Sequence, residues 1–218
     1  MARRKPTTPQ PMFLPYTPRL LHRLFPDFTW RMPGAGSAVY LTFDDGPIPQ
    51  VTPWVLDQLA AHKAQASFFC VGDNALRHPD VLAQVQAAGH TVANHTQHHL
   101  SGWHTPAADY LLDVQLCAQS VPSTLFRPPY GQMTWTQAAW LKRHFRVIMW
   151  DVLSGDYDRR LSAQQCLRHV QRHARPGSII VMHDSLKAEP NLRYLLPSVL
   201  DFLAAQGWEM HALPQGRV

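Results

Sequence analysis

Cysteine is scarce in this chain, with three in 218 residues. Cys70, Cys117 and Cys166 are widely spaced and form no CxxC pair. That odd, scattered count argues against a disulfide framework and against a zinc-finger site. Cys70 and Cys117 sit in apolar runs and are expected as buried thiols. Long hydrophobic runs are missing too, and none approaches the roughly 18 residues that suggest a membrane span. The N-terminus begins basic, but prolines interrupt it before any apolar stretch develops, so it does not read as a signal peptide. A cytoplasmic location is the default expectation. Acidic residues are in slight deficit, giving a formal charge of +5. The excess lies in one segment, where Arg3, Arg4, Lys5, Arg19, Arg23 and Arg31 face Asp27 alone; the remainder balances. The body therefore lacks a basic stripe with interleaved aromatics, and nucleic acid is not an expected partner.

Proline is plentiful at 19. Residues 1–36 are Pro-rich, end in Pro33-Gly34-Ala35-Gly36 and read as a basic, solvated N-terminal arm. Residues 37–218 read as one domain, long enough to bury a substantial core. Short apolar or β-branched runs at 39–43, 66–71, 91–93, 125–127, 147–150, 179–182 and 208–212 are bounded by turn residues and predict seven strands. Helices are predicted between them. Thr52-Pro53 and Thr105-Pro106 look like N-caps followed by proline at the first helical position. Thr134 or Thr136 opens a helix through 144, and Ser162 one through 173. Gly89 and Gly207 stand where helix C-terminal glycines belong. Strands alternating with helices imply parallel β/α units. No Gly-rich phosphate loop follows the first strand, which weakens a dinucleotide-binding fold. The preferred architecture is an α/β fold, a closed or nearly closed β/α barrel of about seven parallel strands; a doubly wound open sheet is the alternative.

Ionisable residues cluster just past the C-terminal ends of the predicted strands, which share one rim in a β/α barrel. Asp44-Asp45 follow the first strand, His95 and His99 the third, Arg127 closes the fourth, Asp151 and Asp156 follow the fifth, and His183 the sixth. Adjacent carboxylates on extended backbone point in different directions, so one can bind a metal while its neighbour faces water. The four-residue spacing of His95 and His99 puts both rings on one face of a helical turn, within reach of one ion, while His98 points off that face. Imidazole and carboxylate suit Zn²⁺ and its first-row neighbours. Arg127, beside two stiffening prolines, can pair with a carboxylate through two hydrogen bonds.

The segments Thr42-Phe43-Asp44-Asp45-Gly46-Pro47, His95-Thr96-Gln97-His98-His99, Arg127-Pro128-Pro129-Tyr130-Gly131 and Ile180-Val181-Met182-His183 resemble, in order, the motifs of the polysaccharide deacetylase family, also called the NodB homology domain or carbohydrate esterase family 4. The resemblance covers roughly residues 38–212 and implies a distorted (β/α)7-type barrel. It implies one divalent metal, Zn with Co or Ni as alternatives, held by Asp45, His95 and His99. It further implies Asp44 as general base activating a water at the metal, Arg127 holding Asp44, the backbone N–H of Tyr130 at the oxyanion, and His183 as general acid. The implied reaction removes acetyl groups from N-acetylated sugars such as chitooligosaccharide, peptidoglycan or a related glycan. An O-acetyl esterase, a non-catalytic glycan-binding relative and a hydrolase of a non-sugar amide are the other readings. One motif departs. Where the family often has Asp-x-x-Asp-Trp, this chain has Leu153-Ser154-Gly155-Asp156-Tyr157. Asp156 is still expected to orient His183, and Tyr157 takes the place of a Trp lining the acetyl pocket. Met182 stands where Leu is typical and is expected in the same pocket. The sequence sets no oligomeric state.

Overall fold

A computed structural model describes residues 14–216. The first part of the expected arm, residues 1–13, lies outside the described residues. The described residues form eight short strands: β1 (Ala38–Asp44), β2 (Ala66–Cys70), β3 (Thr91–Asn94), β4 (Leu125–Phe126), β5 (Arg146–Val147), β6 (Val152–Leu153), β7 (Ile179–His183) and β8 (Glu209–Met210). Eight helices accompany them: α1 (Arg19–Leu24), α2 (Thr52–Ala61), α3 (Gly72–Arg77), α4 (Pro79–Ala87), α5 (Ala107–Ser120), α6 (Trp135–His144), α7 (Ala163–His173) and α8 (Glu189–Ala205). The strands pair in the order β5-β4-β3-β2-β1-β7-β6, with β8 on the lower end of β1, and every ladder is parallel. The curled parallel sheet with its outer helices is the expected distorted barrel.

Side-chain alternation divides β1, β2 and β7 between two environments, as a period of two requires. Leu41, Phe43, Phe68, Ile180 and Met182 face outward into the main core, against Leu192, Leu196 and Val199 of α8 and Val55 and Leu59 of α2. Phe69, Ala93, Ile148 and Ile179 fill the inside of the curl. A third cluster packs Phe126 and Val147 against Tyr110 and Val114 of α5, Leu141 of α6 and Trp30. All three cysteines are buried and free, as a packed thiol should be.

The fifth strand predicted at 147–150 is regular only at its start, in β5, and a separate β6 follows it. β5 pairs only with β4 and β6 only with β7, so the sheet has a seam across residues 148–151. The segment 14–36, expected as a solvated arm, instead closes this seam. Thr29 exchanges backbone hydrogen bonds with Val147 and Met149, Thr17 N–H donates to the Asp151 carbonyl, and Leu153 N–H donates to that of Pro15. Asp151, fully buried, accepts from Ser178 Oγ at 2.7 Å and pairs with Arg31 (3.0 Å) and Arg175 (3.2 Å). Composition made the segment look like an arm because its partners are distant in sequence. Its apolar residues, Leu21, Phe25, Phe28 and Trp30, bury against the third cluster.

Helix starts differ from expectation at two of four positions. Thr134 and Ser162 each form a capping box with the glutamine three residues on. Neither Thr52 nor Thr105 caps: α2 begins after Val51 and α5 after Pro106, without a side-chain cap. Gly89 and Gly207 adopt positive φ (79° and 70°) just past α4 and α8, as expected of terminating glycines.

Candidate active site

The C-terminal ends of β1, β3, β4 and β7 open into a cleft of about 870 Å³. Asp44 and Asp45 end β1. Asp44 is buried, and its Oδ1 accepts from Arg127 Nη1 at 2.6 Å. Arg127 is wholly enclosed, and its remaining donors reach Thr42 Oγ1 and the carbonyls of Ile148 and Met149, with the guanidinium 4.0 Å over the Phe69 ring. The expected two-bond pairing is therefore one bond to Asp44 plus one to Thr42 of β1 and two to the seam. Burial pulls the Arg127 pKa down, but guanidinium stays charged, and its fork fixes Asp44 in place.

Asp45 leaves the strand with φ 81°, and Asn74 Nδ2 donates to its carbonyl at 2.7 Å. This turns the Asp45 side chain toward the histidines. Its Oδ1 lies 3.1 Å from His99 Nε2 and 3.8 Å from His95 Nε2. Burial raises the Asp45 pKa, but the hydrogen bond from His99 and the neighbouring imidazoles of His183 and His95 outweigh it, leaving the carboxyl well below its ordinary value. His95 Nδ1 lies 2.8 Å from the Arg127 carbonyl, which can only accept, so Nδ1 carries the proton and Nε2 presents a lone pair. Burial presses the His95 pKa down to about 4, so the ring is neutral at physiological pH. The two rings do not meet through a helical turn. Residues 95–99 are a loop in which Thr96 (φ 65°) and His99 (φ 56°) are left-handed, and the reversal brings the ring centroids within 5.1 Å. His98 points away, as expected, and is held by Asp113. The ligand atoms of Asp45, His95 and His99 all lie within 4.8 Å of one another. One carboxylate oxygen and two imidazole nitrogens, one with its tautomer locked by a backbone carbonyl, are a donor set that fits a divalent first-row metal.

His183 ends β7 beside Asp44, its direct partner in register. Its Nδ1 and its backbone N–H both bond the buried Asp156, each at 2.8 Å. That leaves Nε2 as the ring nitrogen available to the cleft. Burial lowers the His183 pKa, but Asp156 more than compensates, and the imidazole is raised to about 9. The Tyr157 ring meets His183 edge-on at 4.9 Å, and burial lifts its phenol to about 12. Tyr130 (φ 60°) projects beside His99 and is 64 % exposed. Leu153, Tyr130, Tyr157 and His183 all line the cleft.

Met182 does not. It is fully buried in the outward core, because His183 and Val181 hold the inward positions of β7. Val181, one residue earlier, lines the cleft in its place. Sequence reasoning also passed over Asp184. Fully buried, it accepts from Gly46 N–H (3.1 Å) and Thr52 Oγ (2.6 Å), and its own N–H donates to the Asp44 carbonyl. A Cβ on Gly46 would lie 2.0 Å from Asp184 Oδ2, so only glycine fits that turn. Asp184 thus ties the Asp44-Asp45 turn to the strand that carries His183. Its one signal in sequence was a carboxylate directly after the rim histidine.

A family model described as polysaccharide deacetylase matches residues 31–144. A chitooligosaccharide deacetylase from Bradyrhizobium sp. (strain ANU 289) is 33 % identical over 204 residues, covering 82 % of this chain and 90 % of that protein. A peptidoglycan-N-acetylglucosamine deacetylase from Bacillus cereus is 30 % identical over 189 residues, covering 83 % and 88 %. Among solved structures, the Bc1960 peptidoglycan N-acetylglucosamine deacetylase superposes with a TM-score of 0.78 at 26 % identity, covering 86 % of this chain and 91 % of that one. With similarity of this extent, the chain belongs to the polysaccharide deacetylase family.

Proposed function

We propose that this protein is a metal-dependent hydrolase that removes acetyl groups from N-acetylated sugars. The observation that carries the reading is the convergence of Asp45, His95 and His99 in one cleft, between the Asp44–Arg127 pair and the His183–Asp156 pair. Asp45, His95 and His99 would hold the ion, with Zn²⁺, Co²⁺ or Ni²⁺ matching the donor set. When bound, such an ion polarises the acyl carbonyl and lowers the pKa of water. Asp44, oriented by Arg127, takes a proton from the attacking water. The tetrahedral oxyanion meets the backbone N–H of Tyr130. His183, whose raised pKa keeps it protonated, gives its proton to the departing nitrogen, which is a poor leaving group without it. Hydroxyl joins the acetyl carbon, the C–N bond breaks, and acetate and amine leave. Asp156 and Tyr157 set the orientation of His183. We assign catalysis to residues 37–218, with residues 14–36 closing the barrel seam.

Acylated glycans fit the cleft, which is lined by Tyr130, Trp150 and Tyr157 beside polar groups. The similar chitooligosaccharide and peptidoglycan deacetylases support the same substrate class. Among the described residues, no helix is long and apolar enough to cross a membrane. The test is acetate release from chitooligosaccharides by protein of measured metal content. Release that a chelator stops and Zn²⁺ or Co²⁺ restores is expected. Release only from O-acetylated xylan would make the protein an esterase, and sugar binding without any metal-dependent turnover would make it a binding relative.

A further inference from the structure

Beside the catalytic cleft lies a second cavity of about 410 Å³. The two share Tyr130, Trp150, Leu153 and Tyr157 as walls. The far wall is built by the strap that closes the barrel seam, through Pro18 and Leu21, with Trp30 and Met149 beside them. Pro18, Leu21 and Trp30 lie before the residues matched by the family model, which begin at 31. Leu153 is the register partner of Val181, which lies two residues before His183 on the same inward face. The second cavity therefore lies beside the part of the cleft lined by Leu153, Val181 and Tyr157.

Its lining is mainly apolar, with Leu14, Pro18, Leu21, Trp30, Met149 and Leu153 around it. Thr17 spends its hydroxyl on the Trp150 carbonyl at 2.7 Å, Trp30 Nε1 donates to the Phe25 carbonyl, and Asp158 pairs with Arg160. Those groups are already engaged within the protein, and Leu14, Pro18, Leu21 and Trp30 present carbon surface rather than hydrogen-bonding partners. An alkyl chain needs none.

We propose that the seam cavity receives the alkyl part of an acyl group longer than acetyl, so that the substrate class is amino sugars N-acylated with linear chains of about four to six carbons. The inference rests on the hydrolase reading above and extends it from acetyl to longer acyl groups. Bond changes are the same: water supplies hydroxyl to the acyl carbon, the C–N bond breaks, the amine leaves with a proton, and a short-chain carboxylate is released. Each methylene moved from water into the cavity strengthens the interaction roughly fourfold.

The test compares N-acetyl, N-butanoyl and N-hexanoyl chitobiose as substrates of the metal-loaded protein. We expect kcat/KM for the hexanoyl amide at least tenfold above that for the acetyl amide. A steady fall with chain length would overturn the proposal. Leu21→Trp, which fills the far wall, should lower the hexanoyl-to-acetyl ratio at least tenfold; an unchanged ratio in a folded variant would count against the cavity. If that variant does not fold, the wild-type series decides alone. If no acyl group of any length is released, the hydrolase reading fails first. Calorimetric binding then judges the cavity: tenfold tighter binding of the hexanoyl than of the acetyl disaccharide supports it, and equal binding sinks it.

Discussion

The two sides of the barrel are built by different means. On one side β1 lies between β2 and β7 in continuous parallel register, with Asp44 directly opposite His183. On the other, β5 and β6 are two residues each, do not pair with one another, and are stitched together by Thr17, Thr29 and Asp151. The laddered side supplies Asp44, Asp45 and His183, three of the groups proposed to act in the reaction. The stitched side supplies Trp150, Leu153 and Tyr157, which shape what fits beside them. Pocket shape there rests on irregular elements, which can vary without moving the ladder, although His99 and Asp156 also reach the site from loops.

The largest expected effect tests the laddered side. Asp44→Asn keeps a hydrogen-bond acceptor for Arg127 but removes the base, and kcat should fall by roughly 10²–10⁴. Metal content, measured by elemental analysis, should stay unchanged, since Asp45, His95 and His99 are untouched. Full activity in that variant would end the assignment of Asp44. Asp156→Asn should act less strongly, lowering kcat on the order of 10–100-fold, because it acts through His183. It also carries a pH signature. Asp156 is what lifts His183 from 6.5 to about 9, against burial. Folding stability from this pair is fully present below about 6.5 and is lost as pH rises through about 9. Activity that needs the protonated ring should decline over the same upper limb. Without the Asp156 charge the limb should move toward acid; a pH–rate profile checks it, and an unmoved limb would detach His183 from the proton transfer.

At the stitched side the readout changes from rate to stability. Asp151→Ala strands Arg31 and Arg175, both partly exposed, and loses the Ser178 bond. About 1–3 kcal/mol of unfolding free energy should disappear, measured by urea denaturation. Acetate release per folded, metal-loaded molecule should barely change. If turnover collapses while the fold persists, the division between the two sides is wrong.

How much of this could be read in advance follows the same division. The rim positions of Asp44, Asp45, His95, Arg127 and His183 were legible because each lies at or just after the end of a strand that its own apolar pattern announces, and that of His99 because of its spacing from His95. The route joining His95 to His99 was not, since a four-residue spacing fits a helical turn as well as a loop with two left-handed residues. Met182 was misplaced by one residue, and a period-two strand turns that slip into the opposite face. Asp184 was hidden for the same reason. It follows His183 directly, yet it points into the sheet and bonds Gly46 and Thr52. The strap and the shortened fifth strand depend on contacts more than a hundred residues apart, which no local pattern records.

Thr52 and Thr134 make the smallest and sharpest comparison. Both look like helix N-caps in the sequence. Thr52 accepts from Ile48 N–H and donates to Asp184, serving the Asp44-Asp45 turn rather than α2. Thr134 accepts from Gln137 N–H while the Gln137 side chain accepts from Thr134 N–H, and Gln137 also donates to the carbonyls of Gly102 and Thr105. Ser162 closes the same box with Gln165. These two boxes start α6, just before β5, and α7, just after β6, so both flank the seam. Two-residue strands provide little ladder to position a helix, and local caps do it instead. Thr134→Ala should therefore cost about 1 kcal/mol, read as a lower urea midpoint with unchanged slope, and leave kcat alone. A change in kcat equal to that of Asp156→Asn would show that α6 and the reacting rim are coupled more tightly than their separate anchoring implies.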